Sequence, residues 1–450
     1  MIVCKFGGTS VGDSAAIART VGIVRSKLAH EPIVVVSALA GTTNRLIELA
    51  EQAAKGELIV ALAICEEMRA RHLATIAELI GDHESHDEIA AETGAMFDEL
   101  AHLAEALSVL AHLTPRSHDA VASMGERLSA PIVAATMVKA GLPAVHLDAR
   151  RVMVTSEDFG RGEPLTDEIA LACRAVIAPL LREGKVPVLG GYIGSTRAGV
   201  TTTLGRGGSD YSASLIGAAM EAEAIEIWTD VDGMLTADPR VVKGAQLIGH
   251  IRFDEAAELA NFGAKVLHPS TIAPAVRKGI PVFVFNSRKP EGTGTRITFD
   301  APRTPVRAIA GKTRTVVVKI RSPRMLATPG ALRKIFEVFE QNRTSVDVVA
   351  TSEVSVSVTL DDDQHLDAVV AQLAAFGDVS VERHRGIVAL VGAGLGEHTE
   401  AMARALQALG ALRLHMVSLS ATGINLTLIV DGDQVNEAMQ RLHAAFFGAA

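Results

Sequence analysis

The first two thirds of the chain repeat one pattern: a short apolar segment, a polar or glycine-rich loop, and a longer segment with helical spacing. Residues 2–6 and 32–37 are near-continuous apolar runs, which are typical of strands in a parallel sheet covered on both faces. Residues 45–139 are rich in Ala, Leu, Glu and His at helical spacing and predict several helices. This alternation indicates an α/β sandwich with a mostly parallel sheet, whose ligands bind at the carboxyl ends of the strands.

The same alternation continues as far as residue 299. We predict a first helix that runs to about residue 27, with Thr9-Ser10 and then Asp13 as candidate caps. Further strands are predicted at 144–147, 186–193, 224–229, 281–286 and 295–299, and helices at 167–183, 213–220 and 253–261.

Beyond a linker at 301–305 the order of elements changes to β-α-β-β-α-β, which is that of a ferredoxin-like unit. The segments of this unit are strand 315–320, helix 330–341, strands 346–350 and 354–360, helix 366–376 and strand 379–383. The order then recurs without its last strand, over 387–391, 398–409, 414–419, 424–430 and 435–446. The apolar residues 306–311 can fill this gap, so we infer that one unit is inserted into the other.

Charge and cysteine content restrict the partners and the compartment. The net charge of −9 argues against nucleic acid and anionic membranes as main partners. No apolar run approaches the ~18 residues of a membrane span, and the first residues form an apolar strand rather than a signal peptide. The three cysteines are far apart in sequence, which suits a reducing cytoplasm, and neither they nor the histidines have metal-ligand spacing. We therefore predict no metal site made by the protein alone.

The stretch 201–212 (Thr-Thr-Thr-Leu-Gly-Arg-Gly-Gly-Ser-Asp-Tyr-Ser) has the components of an anion site. Its glycines allow backbone N–H groups to crowd a ligand, and the following helix points its positive end the same way. Arg206 adds a planar fork that suits a carboxylate or a phosphate. A tight strand-to-helix turn is the alternative, which is disfavoured because Arg206 and Asp210 share one turn.

The chain resembles the aspartate kinases of the amino-acid kinase superfamily in short motifs that span nearly its whole length. These motifs are 3–10 (Val-Cys-Lys-Phe-Gly-Gly-Thr-Ser), 201–211, 228–233 (Trp-Thr-Asp-Val-Asp-Gly), 236–240 (Thr-Ala-Asp-Pro-Arg), 262–269 (Phe-Gly-Ala-Lys-Val-Leu-His-Pro), 345–347 (Ser-Val-Asp) and 351–355 (Thr-Ser-Glu-Val-Ser). Each motif alone is a weak signal, whereas their order along the chain is specific. The resemblance implies an amino-acid-kinase αβα sandwich over 1–300, followed by two ACT domains, at 313–386 and at 306–312 plus 387–450.

The family reaction moves the γ-phosphoryl of MgATP to the side-chain carboxylate of L-aspartate. It gives 4-phospho-L-aspartate and ADP, the first step of lysine, threonine and methionine biosynthesis, so ATP and Mg²⁺ are the implied cofactors. A carboxylate with a pKa of about 3.9 is already ionised at neutral pH, so the nucleophile needs no general base. Catalysis then depends on positioning and on neutralising the charge of the transferring phosphoryl.

The resemblance assigns the catalytic roles to the first strand and the glycine-rich stretch. Lys5, at the end of an apolar run, would neutralise the phosphoryl charge, and the backbone of Gly7 and Gly8 would also reach phosphate. Asp210 would hold Lys5 in place, although from the residues alone it could instead cap a helix.

Substrate recognition needs a cation for the α-carboxylate of aspartate and an anion for its α-ammonium. By resemblance, Arg206 takes the first role and Glu126 the second, although from sequence alone Glu126 could be a solvated helix residue. Further substrate contacts are implied at Thr43, Tyr192 and Ser209. Many relatives have Phe at the position of Tyr192.

The implied nucleotide contacts are Lys5, Gly7, Ser37, Thr229, Asp230, Leu235, Arg240 and Lys265. Arg240 and Lys265 would face phosphates, and Asp230 would face the ribose or the magnesium. Related enzymes often carry Tyr where this chain has Leu235, which keeps the apolar contact without the hydroxyl. The stretch 392–397 (Gly-Ala-Gly-Leu-Gly-Glu) imitates a dinucleotide motif, but we interpret it as a turn in the second ACT unit.

The tail is similar to the lysine-sensitive, single-function branch of the family, which implies feedback inhibition by an amino acid. The positions that match lysine contacts are Met325, Thr328, Leu332, Ser345, Val346, Asp347, Ser352 and Glu353. Threonine alone, or lysine and threonine together, remain alternative effectors. Edge strands of such units tend to pair across subunits, so a homodimer or homotetramer is implied.

Two alternative functions differ from this hypothesis. A kinase of the same fold with another acidic substrate, such as acetylglutamate, is disfavoured because an acylated amine gives Glu126 no ammonium to bind. A non-catalytic amino-acid sensor is disfavoured because Lys5, Arg206, Asp210 and Lys265 are all present.

Overall fold

The computed structural model describes residues 1–263, 269–322 and 328–448. Its strands are β1 (Ile2–Phe6), β2 (Pro32–Val36), β3 (Ala144–His146), β4 (Val186–Gly190), β5 (Ile193–Ser195), β6 (Thr201–Thr203), β7 (Ala224–Thr229), β8 (His250–Arg252), β9 (Val282–Asn286), β10 (Thr295–Thr298), β11 (Ala308–Arg321), β12 (Val349–Ser352), β13 (Ser355–Leu360), β14 (Asp378–Val391), β15 (Met416–Leu419) and β16 (Asn425–Asp431). Its α-helices are α1 (Ser14–Ser26), α2 (Thr42–Ala54), α3 (Leu58–Ile80), α4 (His86–Leu110), α5 (Pro115–Ala122), α6 (Met124–Lys139), α7 (Thr166–Arg182), α8 (Gly208–Met220), α9 (Phe253–Asn261), α10 (Ala273–Lys278), α11 (Ala331–Gln341), α12 (Leu366–Leu373), α13 (Thr399–Leu409) and α14 (Val435–Phe447). The chain divides into two compact units, residues 1–234 with 266–299 and residues 235–265 with 300–450.

A mostly parallel sheet forms the centre of the first unit. Within this unit its strands run in the order β3-β4-β2-β1-β7-β9-β10. Neighbouring strands are parallel except β9 and β10, which are antiparallel. β1 is central, with Lys5 opposite Val35 of β2 and Ile227 of β7. The predicted α/β sandwich with a mostly parallel sheet is therefore confirmed.

The side chains of β1 alternate between two layers of helices. Ile2, Cys4 and Phe6 are buried in one core with apolar residues of α1 and α6. Val3 faces α8 instead, because a Cβ added to Gly217 of that helix would lie 3.7 Å from its Cγ2 atom. Since side chains alternate along a strand, Lys5 is on the same face as Val3. The only charged side chain of β1 therefore points to the α8 layer.

The helices predicted between 45 and 139 are present as α2 to α6. Apolar residues of α2, α3, α4 and α6, among them Leu49, Phe97 and Met124, share one buried cluster. The predicted cap of α1 is also present, since the Asp13 carboxylate accepts a hydrogen bond from the Ala16 N–H at 2.7 Å.

The glycine-rich stretch is more structured than the sequence predicted. The strand expected at 186–193 ends at Gly190, and the chain then forms a hairpin in which Ile193 of β5 pairs with Thr203 of β6. Helix α8 begins at Gly208 rather than at 213, after Gly207 with a φ of +73°. A left-handed residue at this position lets the chain turn directly into the helix, which places Ser209 and Asp210 in its first turn.

One antiparallel sheet joins both ferredoxin-like units of the second compact unit, in the order β12-β13-β11-β14-β16-β15. β11 and β14 each run through both units. The first part of β11 pairs with the last part of β14, from Ala308 opposite Val391 to Lys312 opposite Ile387. The last part of β11 pairs with β13, from Val316 opposite Leu360 to Arg321 opposite Ser355. This pairing confirms that one unit is inserted into the other and joins strands that the sequence predicted as separate.

Two smaller features of the tail concern the strand predicted at 346–350 and the turn predicted at 392–397. The strand predicted at 346–350 lies instead at Val349–Ser352, where its residues pair with β13. The stretch 392–397 leaves β14 as a turn with a short 3₁₀ segment, Leu395–Glu397, before α13, as we interpreted it. Among the helices of the described residues, none is long and apolar enough to cross a membrane.

We predict that Leu428→Ala destabilises the second unit by about 2–5 kcal/mol, because its fully buried side chain would leave a cavity. The measurement is the free energy of unfolding in denaturant. Val417→Ala, on the neighbouring strand β15 and 47% exposed, is the matched control and should change it by less than about 0.5 kcal/mol. Equal effects of the two substitutions would contradict the packing of this sheet.

Candidate active site

A cavity of about 700 Å³ opens in the first unit at the carboxyl ends of β1 and β2. The glycine-rich stretch and the start of α8 form its opposite wall. It is lined by residues that the sequence singled out separately: Lys5, Gly8, Ser37, Thr43, Glu126, Tyr192, Arg206, Ser209 and Asp210. The fold thus brings together segments that are up to 205 positions apart in the chain, from Lys5 to Asp210.

Lys5 and Asp210 form a largely buried ion pair in this cavity. The Lys5 Nζ atom lies 2.6 Å from Asp210 Oδ1, and the two side chains are only 11% and 13% exposed. The N-cap of α8 is Gly207, so the alternative interpretation of Asp210 as the helix cap is wrong. Gly7 is next to this pair, since a Cβ at Gly7 would lie 3.6 Å from Lys5 Nζ.

Glu126 is a buried carboxylate, and one of its two oxygens has no hydrogen-bond partner among the described residues. Its Oε1 atom accepts a hydrogen bond from the Ala38 N–H at 3.2 Å, whereas Oε2 is buried and has no hydrogen-bond partner among the described residues. Burial raises the pKa of Glu126 to about 8, although the Ala38 N–H and the positive charge of Lys5 act in the opposite direction. Such a group is suited to a cationic ligand that would supply the missing partner. The alternative of a solvated helix residue is therefore wrong.

Close backbone contacts shape the wall between Glu126 and α8. A Cβ at Gly190 would come within 2.9 Å of Glu126 Cβ, and a Cβ at Gly208 within 2.6 Å of Tyr192 Cδ2. Tyr192 itself has a φ of +66°, which is unusual for a residue with a side chain. Arg206 is exposed where it lines the cavity. The wall therefore combines tight packing with an accessible guanidinium.

Comparison with known proteins agrees with this arrangement. The amino acid kinase family model matches residues 1–286, and an ACT domain model matches residues 388–446. Lysine-sensitive aspartokinase 3 of Escherichia coli is 37% identical over 456 residues, which cover 99% of both chains.

The chain belongs to the aspartokinase family. Two crystal structures of E. coli aspartokinase III also match it, at 36% sequence identity. The structure in complex with aspartate and ADP (R-state) has a TM-score of 0.86 and covers 99% of this chain and 100% of that chain. The structure in complex with lysine and aspartate (T-state) has a TM-score of 0.82, with 99% of both chains covered. The predicted family, fold class and kinase function are confirmed.

The nucleotide positions expected for an aspartokinase lie partly at this cavity. Ser37 lines it, and Thr229 ends β7, the parallel neighbour of β1, with Asp230 directly after it at the same edge of the sheet. The Thr229 carbonyl accepts a hydrogen bond from the Ser287 N–H at 2.8 Å, which ties β7 to the end of β9. Leu235 and Arg240 belong to the second compact unit, where Arg240 pairs with Asp238 at 2.6 Å. Lys265 lies outside the described residues.

Five of the eight positions that match effector contacts in aspartokinases form two groups, one at each end of the β12–β13 pair. Ser352 and Glu353 are at the turn between these strands, whereas Ser345, Val346 and Asp347 are at the other end, where the Asp347 N–H bonds to the Thr359 carbonyl. The β13 residues at these two ends, Ser355 and Thr359, are four positions apart, which corresponds to about 13 Å along the strand. Thr328 and Leu332 lie at the start of α11, and Met325 is outside the described residues.

Asp347 has close charged neighbours within the chain. Lys312 Nζ lies 2.6 Å from Asp361 and 3.9 Å from Asp347. Burial and the neighbouring Asp361 raise the pKa of Asp347 to about 6, against the opposing effect of the Lys312 charge. Asp347 is therefore not a freely solvated surface charge.

Sequence reasoning missed the loop at 38–41 and Gly160, which also line the cavity. It also missed Asp119, a fully buried carboxylate on α5. One signal could have found Asp119, because it precedes Glu126 by seven residues, the spacing that puts two side chains on one helix face.

We predict that Glu126→Gln stabilises the protein relative to wild type by an amount that grows as the pH rises from 5 to 8. The folded pKa of about 8 is above the ordinary value of 4.5, so the folded state holds a proton that the unfolded state has lost in this window. Wild-type stability then falls with rising pH, and the neutral amide is insensitive to it. The measurement is denaturant unfolding at several pH values. A difference that stays constant with pH would contradict the burial of an ionisable Glu126, and Glu105→Gln, on the exposed face of α4, is the control.

Proposed function

We propose that this cavity transfers the γ-phosphoryl of ATP to the side-chain carboxylate of L-aspartate, giving 4-phospho-L-aspartate and ADP. The observation that carries the proposal is the combination, in one cavity, of the Lys5–Asp210 ion pair, the unpartnered oxygen of Glu126 and the accessible Arg206. The E. coli relative whose structure contains aspartate and ADP supports the same pair of ligands.

The two charged ends of the amino acid would bind to opposite charges. The guanidinium of Arg206 would hold the α-carboxylate through two parallel hydrogen bonds, and Glu126 would accept from the α-ammonium. The ammonium would supply the missing partner of Glu126 Oε2 and favour the ionised carboxylate. Thr43, Ser209 and Tyr192 would provide the remaining polar contacts.

The transfer itself needs little chemistry from side chains. An oxygen of the substrate carboxylate attacks the γ-phosphorus, the bond from that phosphorus to the β–γ bridging oxygen breaks, and ADP leaves with the electron pair. Lys5 would neutralise the charge on the transferring phosphoryl, and Asp210 would hold the side-chain ammonium of Lys5 in position. The N–H of Gly8 would add a neutral donor.

The nucleotide would lie along the carboxyl ends of β1, β2 and β7. Gly7, Ser37, Thr229 and Asp230 are the proposed contacts there, and the nucleotide roles implied for Leu235, Arg240 and Lys265 remain predictions. The described residues contain no group of three or more potential metal ligands, and the Asp210 carboxylate is engaged by Lys5. These residues therefore do not form a magnesium cage, and we propose that Mg²⁺ arrives with the ATP phosphates. No step above depends on a protein-bound ion.

We further propose that the first of the two ferredoxin-like units, 313–386, binds lysine as a feedback inhibitor between two subunits, while 306–312 plus 387–450 form the second unit. The T-state E. coli structure with lysine and aspartate supports this effector. The division of the effector positions between two ends of β12 and β13 supports a homodimer or homotetramer, in which a second copy would complete the site. The three free, buried cysteines (Cys4, Cys65 and Cys173) are compatible with the proposed cytoplasmic location.

We predict that Lys5→Ala lowers kcat by at least about 10³-fold, because the phosphoryl charge loses its cation. The measurement is ADP release with MgATP, with and without L-aspartate. Thermal unfolding should show that the variant is folded, and Lys55→Ala, an exposed substitution at the end of α2, should leave turnover unchanged. Substantial turnover in folded Lys5→Ala would remove Lys5 from its role, and wild-type turnover independent of aspartate would overturn the proposed substrate.

We predict that Glu353→Ala and Ser345→Leu keep aspartate-dependent turnover but weaken inhibition by lysine about 5–150-fold, the usual range of allosteric coupling. The measurement is the lysine concentration that halves the rate, at fixed aspartate. Glu400→Ala, an exposed acidic residue on α13, should leave this concentration unchanged. If both variants keep wild-type sensitivity, the effector site lies elsewhere.

A further inference from the structure

Asp119 is a fully buried carboxylate near the cavity that the proposed reaction does not use. Its Oδ2 atom accepts hydrogen bonds from the N–H groups of Gly160, at 2.8 Å, and Thr203, at 3.0 Å. Its Oδ1 atom accepts from the Thr203 hydroxyl at 2.7 Å. One side chain on α5 therefore binds two segments that are distant from it in sequence.

No lysine or arginine of the described residues pairs with Asp119, and its basic neighbour is the His118 imidazole, with Nδ1 at 3.8 Å from Oδ1. The adjacent carboxylate of Asp119 raises the pKa of His118. Keeping a carboxylate away from water is costly unless hydrogen bonds compensate it. Three short bonds from fixed donors provide this compensation and leave little freedom in where those donors lie.

Both segments that Asp119 holds belong to the wall of the cavity. Gly160 lines the cavity directly. Thr203 ends β6 and is three residues before Arg206, and its carbonyl accepts a further hydrogen bond from the Gly162 N–H at 2.8 Å. The next residue, Leu204, donates its N–H to the Tyr192 carbonyl at 2.9 Å. The bonds to Asp119 thus anchor the base of the loop that carries Arg206.

Asp119 and Glu126 lie on one nearly continuous helical path. The Ser123 N–H between α5 and α6 bonds to the Asp119 carbonyl at 3.0 Å, and the Arg127 N–H bonds to the Ser123 carbonyl at 3.3 Å. Seven residues along a helix correspond to about 10.5 Å and nearly two turns, so both carboxylates are on the same helix face. The same rigid element therefore carries Glu126 and, through Thr203, anchors the loop of Arg206.

We propose that Asp119 is a positioning residue that sets the distance between the two ends of the amino-acid site, the Arg206 end and the Glu126 end. This inference rests on the proposed function, because it assumes that these two residues bind the carboxylate and the ammonium of one substrate. Asp119 does not touch the substrate in this scheme. Its effect is on which amino acid fits, and on how tightly.

The test compares Asp119→Ala with Asp119→Asn in steady-state ADP release. Loss of bonds to a charged acceptor should raise the KM for L-aspartate in Asp119→Ala by about tenfold or more, with the KM for ATP within about twofold of wild type. The preference for L-aspartate over the longer L-glutamate, as a ratio of kcat/KM values, should fall by a similar factor. Asp119→Asn should restore both, because its amide oxygen can accept the two N–H bonds while its NH₂ group donates to a reversed Thr203 hydroxyl.

Thr203→Val tests the same link if Asp119→Ala does not fold, since it removes the hydroxyl bond and keeps both backbone bonds. It should raise the KM for aspartate about threefold to tenfold. Thr202→Val is the matched control: this buried neighbour bonds to the Thr155 hydroxyl at 2.6 Å, does not contact Asp119, and should leave both KM values unchanged. Wild-type turnover that does not require aspartate would overturn the proposed function. The inference alone would be overturned if the wild type requires aspartate but folded Asp119 or Thr203 variants keep its KM for aspartate and its preference for aspartate over glutamate. It would also be overturned if the variants lost affinity for aspartate and for ATP in parallel.

Discussion

The ion pair between Lys5 and Asp210 is the contact on which the catalytic unit depends. A buried ammonium is costly unless an anion meets it, and here the two atoms are 2.6 Å apart. Strand alternation points Lys5 to the α8 layer, and the turn at Gly207 starts α8 early enough to put Asp210 in its first turn. The pair therefore forms only when the sheet, the hairpin and the helix are all in place. The same contact orders the fold and provides a fixed positive charge at the end of a parallel strand.

Glu126 is a buried carboxylate in the cavity whose hydrogen-bonding capacity is only partly satisfied. One of its oxygens has a backbone donor, while the other is buried without a partner among the described residues. The raised pKa of Glu126 has the same cause, because burial without enough hydrogen-bond donors disfavours the ionised carboxylate. In the proposed function, the ammonium group of an amino acid would remove this cost, whereas a ligand without a donor group would not. Selectivity for a free amine would then follow from the unpartnered oxygen of Glu126.

The second unit uses long strands where two separate domains would use a linker. β11 and β14 each continue from one ferredoxin-like unit into the other, so the two units share hydrogen-bonded backbone. An ion pair also joins the two units, because Arg385 of β14 contacts Asp431 of β16 at 2.5 Å. The pairing of β11 with β14 shifts register between Lys312 and Val317, where the strands pass from one unit to the other, while the backbone of both strands stays continuous. This arrangement is suited to carrying the effect of a bound ligand across the sheet.

Local patterns in the sequence determined the type and order of the elements. Apolar runs such as 2–6 predicted strands buried on both faces, because they contain no alternating polar residues that would face solvent. The repeated β-α-β-β-α-β order indicated the inserted unit. The motifs also singled out most of the side chains that line the cavity. Tertiary structure decided where the chain turns and which polar groups stay unsatisfied. The hairpin at 193–203, the early start of α8, the buried oxygen of Glu126 and the bonds of Asp119 all depend on neighbours far away in sequence. Burial and hydrogen-bond satisfaction are properties of the packed chain, so no local pattern of residues specifies them.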